Sequence, residues 1–517
     1  MRRGVAKLTA LAAAFLGLTP APAHTGGEAP PRPAAAQAEW TPDPWLADLA
    51  EMRTAFETKY ANLDWLLTER EFDLNGLFDR AAGLLRTARS DAEAVTLFNR
   101  IVDRINDGHV SISWPAPQAK AAPAQASAAS VANSAPVAPP TAASFCRALG
   151  YQPGIGGTGI GPLLAGYSPI ASGDVLPAGT VQIGSGRAGI IRIGIFDPHG
   201  SLSLCEEAVK TLSIPLDRKC DSTCEDAILT RAYRRLTAAL EDRLTALRAA
   251  KADVLIVDIA GNGGGSEWTE AAARMLSPRP LTSARMGFVR GQHWERLWRE
   301  QAERLRGFAA AAPAKDRVRL LGWAAEAEKA KAEAARRCPP TGDPACSWLG
   351  RAGFSTGLVG RVKAGEFLDK DWGVHVFNPG QHPYRDGVWD GPVIVLTDEE
   401  TWSAAEQFAA ILQDNRAALI VGSRTGGSGC GHTWGGTPTR LSNSGATLKL
   451  PDCARFRAEG SNEVQGIMPD LAVPWRANDG KAFRARLLQA ALPEAAARAR
   501  LLHRRAETSP RPGSQRR

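Results

Sequence analysis

The sequence predicts an α/β fold, and three observations carry that prediction. Four apolar runs rich in β-branched residues, 189–196, 252–259, 391–397 and 418–422, read as strands buried on both faces. Helical spacing fills the intervals: residues 225–250 lie between the first two strands, and another helix follows Gly265 to about Leu276. After the third run Ala404, Phe408, Ile411 and Leu412 recur on one helical face. Strands alternating with helices imply a sheet covered by helices.

Taken in order, residues 1–23 read as a secretory signal peptide, with Arg2, Arg3 and Lys7, an apolar run from Leu8 to Leu18, and Ala21-Pro22-Ala23 as cleavage site. The apolar run is too short to span a bilayer. An exported protein, periplasmic or extracellular, with no stable membrane insertion is the expectation. Residues 24–42, rich in Pro, Ala and Gly, read as a linker. Residues 43–108 read as a helical domain of three helices, with faces marked by Leu46, Leu49, Met52 and Phe56, by Leu74, Leu77 and Phe78, and by Phe98, Ile101 and Ile105. Asn106-Asp107-Gly108 makes a turn, and Val110, Ile112 and Trp114 alternate as a strand. Residues 115–143, mostly Ala, Pro, Ser, Gln and Val, read as a flexible insertion.

The α/β core is expected at 144–285 and 386–475, with glycine-rich sequence to about 186 and hairpin strands at 433–450. Residues 286–385 interrupt it. Their centre, 294–337, reads as a helical pair broken by Pro313 and folded outside the core. Residues 476–517 read as a C-terminal helix and a basic tail, disordered and solvated from Ala497.

The net charge is +8 over 517 residues, of which residues 1–23 carry +3 and residues 497–517 carry +6, so the remainder carries −1. A near-neutral body argues against a nucleic-acid partner. The 8 cysteines of an exported chain argue for disulfides. Spacing pairs Cys220 with Cys224, Cys338 with Cys346 and Cys430 with Cys453, leaving Cys146 and Cys205. No cysteine pair has a matching pair at zinc-finger spacing, so no metal is expected.

Four windows carry chemistry. Ser403 sits at a helix start, where free N–H groups and the helix dipole favour negative charge. A lone serine there is commonly only an N-cap. Gly261-Asn262-Gly263-Gly264-Gly265 exposes backbone N–H groups between a strand and a helix, which suits an oxyanion; without GK[ST] or GxGxxG order it is no phosphate cradle. His109 stands at a turn–strand junction, and Glu463 precedes a Gly-Ile-x-Pro-Asp turn. Alone, each is ordinarily a solvated polar residue.

In this order, the windows resemble the C-terminal-processing (tail-specific) serine peptidases and the tricorn core protease. The resemblance takes in the DGH turn at 107–109, the strand and Gly run at 254–265, the SAAE helix start at 403–406, the Arg424-Thr425-Gly426-Gly427 turn and the GIMPD segment at 466–470. It implies a crotonase-like ββα serine-peptidase core preceded by a small helical domain. The tail-specific branch would need a lysine where this chain has Ser428, whereas the tricorn-like His and Glu are matched by His109 and Glu463. The resemblance therefore implies that Ser403 attacks, His109 takes its proton and Glu463 orients the imidazole. Backbone N–H groups of Gly263 or Gly264 and of Ala404 would hold the oxyanion. His432, near the missing lysine, is a rival base. Gly108 stands where the tricorn-like pattern often has a further serine, and no PDZ domain is recognisable.

The expected function is an exported serine endopeptidase acting on peptides or proteins without a cofactor. Two alternatives share the windows: a non-catalytic peptide- or ligand-binding protein on the same fold, and an esterase or amidase with the same triad. The latter lacks a G-x-S-x-G elbow.

Overall fold

Seven strands form the central sheet in the order Leu471–Ala472, Leu419–Gly422, Val393–Thr397, Val254–Asp258, Gly186–Arg192, Ala178–Ile183 and Ser168–Ala171. The first five run parallel, and the last two add as an antiparallel edge. The computed structural model describes residues 40–116, 140–339 and 346–508. The signal peptide, most of the linker and most of the 115–143 insertion lie outside the described residues.

Alternation along the strands explains the layers. Leu255, Val257 and Val395 point to one side, where the helices Ser222–Ala249, Trp268–Arg274 and Ala404–Asp414 cover them. Val254, Ile256, Ile394 and Leu396 point to the other, against Leu488, Leu492, Ala495 and Ala496 of the C-terminal helix Lys481–Thr508. Strands apolar on both faces need helices on both faces, so the result is a three-layer α/β core. Parallel strands also deliver all their C-terminal ends to one edge, where open α/β sheets gather their sites.

Several expectations are corrected. The N-terminal region has four helices, Asp43–Lys59, Leu63–Thr68, Leu74–Leu85 and Asp91–Ile105, because Tyr60 turns extended and Leu63, Trp65 and Leu66 bury a further turn. It is not set apart: Pro42–Arg517 is one compact unit. The glycine-rich stretch holds the two edge strands.

The 286–385 insertion is joined to the chain beyond it by strands that the sequence did not disclose. Its helices Gln292–Ala311 and Ala314–Ala335 part at Pro313 as expected. However, Arg285–Val289 and Leu349–Phe354 pair antiparallel in a second sheet with Cys453–Phe456. Phe288, Trp294 and Trp298 share one apolar cluster with Cys453. The expected solvated tail is helical to Thr508, since Ala499 stays on the buried face and Arg500 pairs with Asp253 at 3.0 Å. Among the described residues no helix is long and apolar enough to cross a membrane. Four disulfides join Cys146–Cys205, Cys220–Cys224, Cys338–Cys346 and Cys430–Cys453.

Candidate active site

Two loops leaving adjacent parallel strands are tied together beside Ser403. Asp398, just past Val393–Thr397, accepts from the Gly261 N–H at 2.7 Å and the Thr401 hydroxyl at 3.1 Å. The Trp402 N–H donates to the Asn262 carbonyl at 2.9 Å. Ser403 then caps the helix Ala404–Asp414 with φ 56° and ψ −115°, a conformation that non-glycine residues rarely adopt. Strain of this kind persists only where the surroundings over-determine it.

His109 comes from a separately anchored turn. Asp107 accepts from the His109 N–H at 3.0 Å, and from the Tyr60 hydroxyl and Asn62 amide at 2.9 Å each. Burial pushes the Asp107 carboxyl up to about 6, against the pull of those bonds. The imidazole reaches Ser403, with Nε2 at 3.0 Å from Oγ, and Nδ1 lies 3.0 Å from the Ser428 carbonyl oxygen. A carbonyl only accepts, so Nδ1 carries the proton and Nε2 offers its lone pair to the hydroxyl. Burial holds His109 down at about 4, opposed by the Ser428 carbonyl and reinforced by the Arg455 charge. The imidazole is therefore neutral at pH 7.

Among the described residues Glu463, expected to orient the imidazole, makes no hydrogen bond to it. Its carboxylate is held by Arg455, with Nε 3.0 Å from both oxygens and Nη2 2.5 Å from one. The bridge between Phe456 and Asn462 folds the chain back, so that Arg455 faces Glu463. The same Nη2 donates to the carbonyls of Ser403 at 3.1 Å and Gly429 at 2.8 Å. Burial opposes the Arg455 charge, but Glu463 outweighs it and raises the guanidinium above its ordinary value.

The three expected oxyanion donors separate as well. The Gly264 N–H is already committed to the Asn262 side chain at 2.8 Å. Among the described residues, the N–H groups of Gly263 and Ala404 have no protein acceptor. Gly264 instead lets the chain pass close: a methyl on it would stand 2.8 Å from Ser403 Cβ, and its φ is 115°.

His432, the alternative base, does not face Ser403 with its ring nitrogens. Its ring nitrogens face the Leu450 and His109 carbonyls, both at 3.1 Å. Ser428 presents its carbonyl to His109, while its buried hydroxyl has no partner among the described residues. Gly108 is packed against Trp402, whose ring would lie 2.2 Å from an added methyl, so a larger residue does not fit there.

Sequence reasoning missed Arg455 and Glu406. Glu406, buried in the first helical turn, accepts from the N–H groups of Ser403 at 2.9 Å, Gly427 at 2.7 Å and Ser428 at 2.8 Å, and from the Thr425 hydroxyl at 2.6 Å. It ties the Ser403 backbone to the loop whose carbonyl faces His109. Burial pushes it up to about 6, Thr425 pulls against this, and the Glu463 charge adds to it. Its signal was the S-x-x-E spacing of a helix start.

Residues 229–473 match the model of peptidase family S41, a match that supports a serine-type peptidase. The matched stretch contains Gly263, Ser403 and Glu463 but not His109. The fold is similar to the crystal structure of mature CPAF, with a TM-score of 0.53 and 16% identity, covering 90% of this chain and 98% of that one. The structure of mature CPAF complexed with lactacystin is similar to the same degree, with a TM-score of 0.52 and 16% identity over 90% of this chain and 99% of that one. At that identity the likeness is one of fold. An uncharacterized protein of Chlamydia muridarum (strain MoPn / Nigg) is 34% identical over 99 residues, which span 19% of this chain and only 16% of that relative. A protein of Chlamydia trachomatis serovar D is 35% identical over 100 residues, again 16% of its length.

Proposed function

We propose that the chain hydrolyses peptide bonds with Ser403 as nucleophile and His109 as general base. The observation that carries this reading is the 3.0 Å contact between Ser403 Oγ and the unprotonated Nε2 of His109. The hydroxyl attacks the scissile carbonyl carbon as its proton passes to Nε2. The carbonyl oxygen becomes an oxyanion, received by the N–H groups of Gly263 and Ala404 at the helix start. His109 returns the proton to the leaving amine, giving an acyl-enzyme on Ser403. A water deprotonated by the same imidazole then releases the acid.

In this reading the Ser428 carbonyl holds the tautomer, a duty the triad usually gives to a carboxylate. Glu463 acts through Arg455, which grips the Ser403 and Gly429 carbonyls, and through its negative charge near the forming imidazolium. The signal-like N-terminus and the four disulfides support export, because such bonds persist in oxidising compartments. A serine-reactive fluorophosphonate should label the protein at Ser403, and Ser403→Ala should lose both labelling and peptide hydrolysis while remaining folded. Hydrolysis undiminished in Ser403→Ala would overturn the assignment.

A further inference from the structure

Two residues beyond His432, Trp434 stands 83% exposed at the tip of a 3-10 turn, Thr433–Gly435. A singly exposed aromatic is ordinary on a protein surface, but this one is held there against its own preference. Its backbone has φ 49° and ψ 46°, a left-handed conformation disfavoured for a bulky side chain. Gly435 and Gly436 follow with φ 82° and 64°.

The residue before the tip is pinned on both sides of its backbone. The Thr433 N–H donates to Asp452 at 2.9 Å, and the Thr433 carbonyl accepts from His293 at 3.0 Å and from the Gly436 N–H at 2.9 Å. Cys430–Cys453 closes the base of the loop. Among the described residues the indole itself has no hydrogen bond and no stacked ring. The turn is also next to the reacting groups. A methyl on Gly431 would stand 3.1 Å from the His109 ring, and three residues of chain reach at most about 10 Å.

A rigid turn that spends left-handed backbone to present an unpartnered indole beside the general base is arranged for a ligand. Resting on the peptidase reading above, we propose that Trp434 is a substrate-recognition residue. Its indole face takes an apolar side chain of the peptide, flanking the bond presented to Ser403.

The test uses binding, so that it does not depend on turnover. Fluorescein-labelled glycine-serine decapeptides, each with one leucine moved through the positions, are titrated onto Ser403→Ala. At one or two positions leucine should raise affinity about tenfold, the scale of one apolar pocket contact. That increment should vanish in Ser403→Ala/Trp434→Asn, where asparagine keeps the left-handed turn, and survive in part with Trp434→Phe. A leucine increment unchanged by Trp434→Asn, or none in the Ser403→Ala parent, overturns the proposal. Hydrolysis of the same peptides by the unmodified protein tests the catalytic reading separately. If binding depends on Trp434 and nothing is cut, recognition stands and the catalytic assignment falls.

Discussion

Arg455, not His109, is the partner of Glu463: the two side chains meet with Nε 3.0 Å from both carboxylate oxygens, and both are buried. Removing one member of such a pair leaves an uncompensated buried charge and costs about 3–5 kcal/mol, whereas an apolar pair of similar volume is close to neutral. Glu463→Leu should therefore destabilise strongly, and Arg455→Met/Glu463→Leu should regain most of that stability in urea unfolding. Activity should not return with it, because Arg455 also grips the Ser403 carbonyl. Wild-type stability in Glu463→Leu would show that the pairing contributes little.

The base is set by burial, and its pH profile should show it. His109 is held at about 4 rather than near 6.5. Protonation removes the lone pair that accepts from Ser403, so kcat/KM should fall as pH drops through about 4. That ratio reports groups of the free enzyme. A single acid limb centred near 6.5 would mean that the imidazole is wetter and more exposed than the structure has it.

Asp107 supplies a stability signature of opposite sign. Its carboxyl rises from 3.8 to about 6 on burial, so the folded chain keeps a proton that the unfolded chain releases. Its contribution is complete below about 3.8 and is lost as pH rises through about 6, up to roughly 3 kcal/mol. Asp107→Asn should gain stability relative to wild type between pH 4 and pH 7 in urea midpoints. A constant difference across that range would rule the shift out.

What the sequence disclosed follows from the range of its signals. VLIVD and VIVLT were legible as strands because burial on both faces leaves an uninterrupted apolar run. Ser403 and His109 were legible as windows, although the contact between them spans 294 positions. Arg455 was not legible, because a cation inside CARF declares itself only once the chain folds back on Glu463. The same holds for Asn62, which joins Asp107 to Asn462 from a helix break that has no pattern of its own. The strands inside the 286–385 insertion were hidden by the helical composition around them.

Two neighbouring glycines separate space from hydrogen bonding. Gly263 has open space beside it, so Gly263→Ala should keep its N–H and most activity. Gly264 has φ 115°, and an added methyl would meet Ser403 Cβ at 2.8 Å. Gly264→Ala should displace Ser403 and lower the fluorophosphonate labelling rate about 100-fold, the scale of a displacement near 1 Å. Equal labelling rates in the two variants would contradict this geometry.

The Cys430–Cys453 bond joins the two sides of the site, with a sequence separation of 23. On one side Gly431 lies against the His109 ring, and on the other Cys453–Phe456 carries Arg455. A loop of this length contributes roughly 3 kcal/mol by restricting the unfolded chain. The catalytic consequence is separate: without the bond, no covalent link joins the strand of Arg455 to the loop against His109, and small displacements of reacting groups are costly. The Cys430→Ser/Cys453→Ser variant should lose stability by about that amount and, at a temperature where it stays folded, should show a reduced kcat. The Cys220→Ser/Cys224→Ser pair is the control, because its bond closes a sequence separation of only 4, at the start of the helix Ser222–Ala249. If both variants lose kcat equally, the effect is one of general stability and the link between the two sides of the site is refuted.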